Sequence, residues 1–131
     1  MRVKELGMDS VALTDHGVMF GVIDFYRAAK AEGIRPILGC EVYVAPNSRH
    51  DREYGNNEDR YYHLVLLAET NEGYNNLMKI VSKGFTEGYY YKPRADMEVL
   101  EQYHEGIIAL SACLAGEVQR YLNRGFYEEG K

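Results

Sequence analysis

The chain has 131 residues, of which 46% are hydrophobic, and its formal net charge at pH 7 is −5. This length fits one domain or part of one, and an acidic balance argues against a free-standing nucleic-acid-binding protein, which usually has a basic face. Two cysteines far apart in the sequence exclude a disulfide framework, and no apolar run resembles a signal peptide or a membrane-spanning segment. We therefore expect a protein of the reducing cytoplasm.

The first half of the sequence predicts short strands that alternate with helices. Residues 1–6 read as the end of a helix that stops at Gly7, and Ser10–Thr14 reads as a strand. A helix is predicted over Phe20–Glu32, with Gly33 as its stop signal. The second strand, Pro36–Val44, is almost continuously apolar, which is typical of a strand buried on both faces.

The connection between the second and third strands contains no predicted helix. Residues 45–60 are polar and lack helical periodicity, and a third strand is predicted over Tyr61–Ala68. Parallel neighbours need a long crossover, usually helical, whereas antiparallel neighbours do not. We therefore expect the second and third strands to be antiparallel, which would place Glu41 near His63.

The second half continues the alternation. A helix is predicted over Asn71–Lys83 with Gly84 as its end, and Asp96 can cap a helix that runs to about His104. A fourth strand is predicted over residues 107–110 and a final helix over residues 115–124. This order indicates an α/β fold with a largely parallel sheet.

Four side chains of metal-ligand type lie on or directly after the four predicted strands. They are His16, Glu41, His63 and Cys113. Each has a structural alternative when taken alone: Asp15 and His16 as turn residues, Glu41 as part of a buried ion pair or as a solvent-facing residue of an edge strand, His63 as a hydrogen-bonded core residue, and Cys113 as a small buried hydrophobe.

The set is more informative than its members. Two imidazoles, a carboxylate and a thiol from separate strands match the ligands of zinc, or of zinc mixed with manganese or iron. Such a centre lowers the pKa of water and binds phosphate. The sequence has no zinc-finger spacing, no phosphate-binding glycine loop and no nucleophile elbow. A phosphoester-directed metal centre is therefore the function that these residues favour.

Several segments resemble a known family, the PHP (polymerase and histidinol phosphatase) domain. Residues Ala12–Gly17, Pro36–Tyr43 and Tyr62–Ala68 resemble three of its strand motifs. The segments Gly88–Arg94 and Gly106–Glu117 more specifically resemble the PHP domains that begin the alpha subunits of bacterial replicative polymerases, the DNA polymerase III type. The resemblance covers essentially the whole chain.

The resemblance implies a distorted (β/α)7 TIM-like barrel with a centre for several metal ions. The motifs of the family's first strand, with its His-x-His pair, and of its last strands, with their Asp-x-His pair, are absent from this sequence. We therefore expect residues 1–131 to form a partial PHP domain with an incomplete barrel. Exposed sheet edges and strand faces would then favour self-association of the chain.

The resemblance also assigns roles to individual residues. His16, Glu41, His63 and Cys113 match metal-ligand positions. Asp15 with His16 matches the motif expected to take part in catalysis, where Asp15 would support the ligands without being one itself. The implied cofactor is a divalent metal, zinc in the first place and manganese or iron as alternatives, at a site that is incomplete in this chain.

The implied function is that of the PHP region of a replicative DNA-directed DNA polymerase, a nucleotidyltransferase. In that setting the domain carries metal-dependent phosphoester hydrolysis, including 3′–5′ exonuclease proofreading. The implied partners are DNA, the remaining polymerase domains and replisome subunits, and the chain alone is expected to be inactive. The alternatives are a stand-alone phosphatase of the histidinol-phosphatase type and a non-catalytic scaffold.

A loop rich in tyrosine supplies two further candidate residues. Lys92 and Arg94 follow three consecutive tyrosines, so they are candidates for contact with a nucleic-acid phosphate while a tyrosine stacks on a base. The alternative is a loop that packs against a neighbouring element.

Overall fold

The described part of the chain, residues 2–53 and 61–131 of a computed structural model, alternates between helices and strands. In chain order the elements are α1 (Arg2–Glu5), β1 (Ser10–His16), α2 (Val22–Ala31), β2 (Arg35–Val44), β3 (Tyr62–Ala68), α3 (Asn71–Thr86), β4 (Arg94–Ala95), α4 (Met97–Gln102), β5 (Ile107–Leu110) and α5 (Glu117–Asn123). The α/β class predicted from the sequence is confirmed. None of the described helices has the length and apolar character to span a membrane.

The strands form one mixed sheet in the order β1-β2-β3-β5, and β4 pairs with β2 beyond the end of β1. Strands β1 and β2 are parallel, whereas β3 is antiparallel to both β2 and β5. The expected antiparallel pairing of the second and third strands is confirmed. Strand β3 therefore runs against the other four, and the sheet is not wholly parallel.

One face of the sheet carries the core. Cys40, Val42 and Val44 alternate along β2 and point to the side on which α3 packs, where Leu77 and Ile80 are almost fully buried. Helix α2 lies on the same side, since a Cβ built on Gly21 at its start would lie 3.2 Å from Leu13 Cδ2. The core cluster comprises Cys40, Val42, Val44, Leu66, Leu77, Ile80, Ala95 and Val99.

The opposite face of the sheet is open in the described part of the chain. Ile108 and Leu110 of β5 lie on it and are 43% and 49% exposed. Strands β1 and β5 each pair with a single described strand, so the sheet has two edges. The described residues therefore form a one-sided α/β layer, and the closed barrel implied by the resemblance is not seen among them.

Several element boundaries differ from their predictions for identifiable reasons. Helix α3 continues through Gly84, the predicted stop, to Thr86. Gly84 instead allows another segment to pack closely against the helix, since a Cβ built on it would lie 3.3 Å from the Pro93 carbonyl carbon. The Asp96 cap is confirmed, since its side chain accepts a hydrogen bond from the Val99 amide. Strand β1 runs to His16 and so includes two residues predicted to follow it.

A buried ion-pair network fixes the segment after β2. The Arg49 side chain contacts Asp96 at 3.1 Å, Glu87 at 2.8 Å and Glu98 at 2.7 Å. Burial opposes ionisation of Asp96, but hydrogen bonds from the Arg49 and Val99 amides and from the Arg49 guanidinium hold the Asp96 pKa below its usual value. The network joins residues 45–53 to the start of α4.

Candidate metal centre

Strand register alone brings three of the four predicted ligands to one face of the sheet. His16 pairs with Glu41 across β1 and β2, and His63 pairs with Tyr43 across β2 and β3. Glu41 and Tyr43 are two residues apart in β2, so their side chains point the same way. His16, Glu41 and His63 therefore lie together on the open face of the sheet.

The distances confirm that these side chains form a cluster. One oxygen of Glu41, Oε1, lies 2.9 Å from His63 Nδ1, and the other, Oε2, lies 3.5 Å from His16 Nε2. One ligand atom from each of the three residues lies within 4.8 Å of the other two. The Glu41 carboxylate thus lies between two imidazoles.

The cluster is open on one side. The side chains of Glu41 and His63 are 14% and 16% exposed, whereas that of His16 is 63% exposed. Two of the donors are therefore held within the fold, and the third faces solvent, from which a substrate could approach.

Cys113 lies at the edge of this cluster. Its Sγ is 3.4 Å from His63 Nδ1 and also accepts a hydrogen bond from the Ala115 amide at 3.4 Å. The His63 amide donates to the Ala115 carbonyl at 3.1 Å, which ties the segment after β5 to the start of β3. Ala112 has φ of +61°, a costly conformation for a residue with a Cβ, directly before the thiol.

The donor set fits a divalent metal. Ligands at zinc bond lengths in tetrahedral geometry are separated from one another by about 3.3–3.6 Å. The Glu41–His16 and Cys113–His63 distances of 3.5 and 3.4 Å fall within that range, whereas Glu41 Oε1 and His63 Nδ1, at 2.9 Å, are at hydrogen-bond distance and would move apart by about half an ångström around an ion. Among the described residues, the ion-pair partners of Glu41 are His16 and His63, so a cation there would supply the positive charge that a largely buried carboxylate needs.

Asp15 does not belong to the cluster, which corrects its expected part in catalysis. Neighbouring residues of a strand point to opposite faces, so Asp15 points away from the side occupied by His16. Its Oδ2 accepts a hydrogen bond from the Gly21 amide at 3.2 Å, near the start of α2. The structure thus gives Asp15 the turn-stabilising role that was the structural alternative.

The two basic residues of the tyrosine-rich loop have different environments. Arg94 has no exposed surface, and its guanidinium donates to the carbonyls of Gly88, Arg49 and Asp51. A buried guanidinium cannot reach a phosphate, so the expected nucleic-acid contact of Arg94 is wrong. Lys92 is exposed, and its Nζ lies 5.6 Å from the centre of the Tyr43 ring, next to the cluster.

Tyr43 is a neighbour of the cluster that the sequence analysis did not single out. Its ring packs edge-on against that of His63 at 5.2 Å, and it is 7% exposed. Burial, with smaller contributions from Tyr61 and Glu41, raises the pKa of Tyr43 above its usual value. The signal available in the sequence was its position two residues after Glu41.

Comparisons with known proteins identify the family of the chain. The model of the PHP domain family matches residues 1–131. The chain is 52% identical over 128 residues to DNA polymerase III subunit alpha of Treponema pallidum (strain Nichols), which covers 98% of this chain and 11% of that protein. It is 50% identical over 123 residues to the subunit of Helicobacter pylori (strain ATCC 700392 / 26695), covering 93% and 10%.

The chain spans about a tenth of the length of the curated relatives that it matches. A solved structure from Bifidobacterium adolescentis, assigned as a metal-dependent phosphoesterase, aligns with 63% of this chain and 25% of its own at 18% identity, with a TM-score of 0.41. The family match, in contrast, extends over the full sequence. The chain belongs to the PHP domain family and is homologous to DNA polymerase III alpha subunits.

Proposed function

We propose that this chain is the PHP region of a replicative DNA polymerase III alpha subunit and that it holds a divalent metal for phosphoester hydrolysis. The observation that carries the proposal is the contact of Glu41 with both His16 and His63 on the open sheet face. The nearby Cys113 thiol favours zinc over harder ions, with manganese and iron as alternatives. The homology to DNA polymerase III alpha subunits supports the polymerase setting.

The chain's own residues would have distinct tasks in such a centre. Glu41 is held between the two imidazoles and would fix the position of the metal, while the exposed His16 would lie on the side that a phosphoester approaches. A divalent ion at such a centre supplies Lewis acidity toward a phosphoryl oxygen and makes water a stronger acid. Lys92, the exposed cation next to Tyr43, would attract the negatively charged substrate.

We further propose that the open sheet is part of a distorted (β/α)7 barrel of the PHP type. Support comes from the placement of α2 and α3 on one face and of the predicted ligands on the other, as in barrels whose helices surround an inner layer. DNA, other polymerase domains and replisome subunits are the partners proposed for the whole protein, with 3′–5′ exonuclease proofreading in the cytoplasm as its proposed role.

Metal titration tests the centre directly. Calorimetric titration of the purified chain with Zn²⁺ should show binding that His63→Ala abolishes, whereas His104→Ala should leave it unchanged. His104 is a suitable control because it is exposed and its Nδ1 contacts the Glu101 carbonyl at 2.7 Å. Zn²⁺ binding that survives His63→Ala, Glu41→Gln and His16→Ala would refute the proposed centre. Three tightly held ions per chain would refute the expectation that the site is incomplete.

The reaction is tested in an intact polymerase subunit that carries these residues. Shortening of a 5′-labelled single-stranded oligonucleotide from its 3′ end, lost in the His16→Ala variant, would support proofreading. Hydrolysis of small phosphate monoesters without oligonucleotide cleavage would favour the stand-alone phosphatase type of activity. Metal binding without either reaction would indicate a scaffold.

The role of Lys92 has a matched control within the chain. Lys92→Ala should weaken binding of single-stranded DNA at low salt, whereas Lys79→Ala should not. Both lysines lie over a tyrosine ring, Lys92 over Tyr43 at 5.6 Å and Lys79 over Tyr103 at 5.2 Å. Equal effects of the two substitutions would mean that only net charge matters and would refute a specific contact by Lys92.

A further inference from the structure

We propose that Tyr43 is a positioning residue of the candidate metal centre, whose ring holds the His63 imidazole and the backbone after His16 in the arrangement that binds metal. The inference rests on the proposed metal centre. The inference goes beyond that centre because Tyr43 contributes no ligand atom and acts only through the residues that its ring contacts.

The first contact is with His63. The Tyr43 and His63 rings meet edge-on at 5.2 Å with an interplanar angle of 78°. Tyr61 completes a cluster of three rings, since it stacks on His63 at 5.9 Å and meets Tyr43 edge-on at 4.9 Å. Edge-on and stacked arrangements are the favoured geometries for such rings, so the cluster limits rotation of the His63 imidazole.

The second contact is with the backbone next to His16. Gly17 has φ of +70°, and its amide donates to the Glu41 carbonyl at 2.9 Å. A Cβ at Gly17 would lie 2.7 Å from Tyr43 Cε2, so the ring lies directly against this turn. The same ring therefore touches the residue after one ligand and the imidazole of another.

The position of Tyr43 in β2 explains why one side chain reaches both. It is paired with His63 on one side, and two residues earlier Glu41 is paired with His16 on the other. Tyr43 thus lies on the open face of β2 between the end of β1 and the start of β3. Partners that orient metal ligands typically change metal affinity by about 10- to 100-fold when they are removed.

Cobalt binding to the purified chain tests this inference, because Co²⁺ reports ligand geometry through its visible absorption. Tyr43→Phe keeps the ring and should bind Co²⁺ with the wild-type affinity and spectrum. Tyr43→Leu removes the ring and should bind about 10- to 100-fold more weakly. At saturating Co²⁺ its ligand-field bands should also be altered, an effect that a loss of stability alone would not produce.

Two controls separate positioning from folding. Ile80→Val weakens the core away from the site, where Ile80 is 1% exposed, and should leave cobalt affinity and spectrum unchanged. If Tyr43→Leu does not fold, Tyr43→Met takes its place with the same criteria, because its unbranched side chain adapts to the space more easily and also lacks the rigid ring.

The other possible outcomes of the cobalt experiment each refute a specific part of the proposal. Wild-type affinity and spectrum in the variant without the ring would refute positioning by Tyr43. A Tyr43→Phe variant as weak as the variant without the ring would assign the effect to the hydroxyl and refute positioning by the ring. A wild-type chain that does not bind Co²⁺ or Zn²⁺ would refute the metal centre itself.

Discussion

Glu41 Oε1 lies 2.9 Å from His63 Nδ1 because β3 runs antiparallel to β2, which brings the end of one strand beside the start of the next. The two residues are 22 positions apart in the sequence. A parallel arrangement would place His63 at the other end of the sheet from Glu41. The reversed strand is therefore the feature of the fold on which the candidate metal centre depends.

The two cysteines should differ in their response to metal. Cys113 is exposed beside His63, whereas Cys40 is buried in the core and burial raises its pKa to about 12. We expect Cys113→Ser to remove the thiolate-to-cobalt charge-transfer absorption and Cys40→Ser to retain it. A charge-transfer band that persists in Cys113→Ser would show that Cys113 is not a ligand.

The same difference is measurable without cobalt. A thiol-labelling reagent should modify Cys113 rapidly in the folded chain and leave Cys40 unmodified until the chain unfolds, because only the first thiol is accessible. Zn²⁺ should protect Cys113 from the reagent. Equal labelling rates with and without Zn²⁺ would contradict binding at this thiol.

The ion pair between Arg49 and Asp96 predicts acid sensitivity. The pKa of Asp96 is held below its unfolded value, so its contribution to stability is complete above the unfolded value of about 3.9 and is lost as pH falls toward the folded pKa. Asp96→Asn should cost about 1.5–3 kcal/mol at pH 7 while keeping an oxygen for the α4 cap.

Urea unfolding at several pH values checks this prediction. Below pH 4 the difference in unfolding free energy between wild type and the Asp96→Asn variant should shrink, because the wild-type carboxylate becomes protonated there. A difference that stays constant down to pH 3 would contradict an electrostatic role for Asp96.

Two basic residues close in the sequence should differ in how much their substitution affects stability. Arg94→Lys should destabilise the chain by about 2 kcal/mol, because an ammonium group cannot reach the three carbonyls that the buried guanidinium contacts. Lys92→Ala should change the unfolding free energy by less than about 0.5 kcal/mol, because Lys92 is exposed. Equal urea midpoints for wild type and Arg94→Lys would contradict the structural role of Arg94.

A close backbone approach predicts that Gly73 has no tolerated replacement. A Cβ at Gly73 would lie 1.8 Å from the Gly106 carbonyl oxygen, so Gly73→Ala must displace α3 from the segment before β5. We expect a loss of about 3 kcal/mol in urea unfolding, near the upper end of overpacking costs.

Gly33→Ala is the matched control for Gly73→Ala. Gly33 has φ of +70°, but a Cβ added there would meet no atom within 4 Å, so only the backbone cost of about 1–2 kcal/mol applies. A Gly33→Ala variant that loses as much stability as Gly73→Ala would mean that backbone conformation, and not the contact with Gly106, dominates.

Periodicity and local signals were sufficient for most elements. The spacing of apolar residues predicted β2, α3 and β5 close to their observed positions, and the Asp96 cap was predicted from residue type. Local signals gave a wrong helix end where a residue serves a contact with a distant segment. Gly84 looked like a helix stop and instead allows Pro93 to pack against α3.

For the site, too, residue types were predictable from the sequence, whereas the face that each residue occupies was not. His16, Glu41, His63 and Cys113 were identified from their types and their places on strands, and the structure brings the first three together on the open face with Cys113 next to His63. Asp15 could not be separated from His16 by type, because both are ligand-type residues at a strand end. The register of β1 against β2 turns the two to opposite faces.

The sequence by itself determined the alternation of strands and helices, the acidic character of the chain and the ligand types at the ends of strands, since these follow from local composition and periodicity. The tertiary structure decided which face each strand residue occupies, because register and strand direction depend on contacts between distant segments. It also decided that Arg94 is buried and that Tyr43 lies between Gly17 and His63. Residue type indicates what a side chain can do, and packing determines which partners it meets.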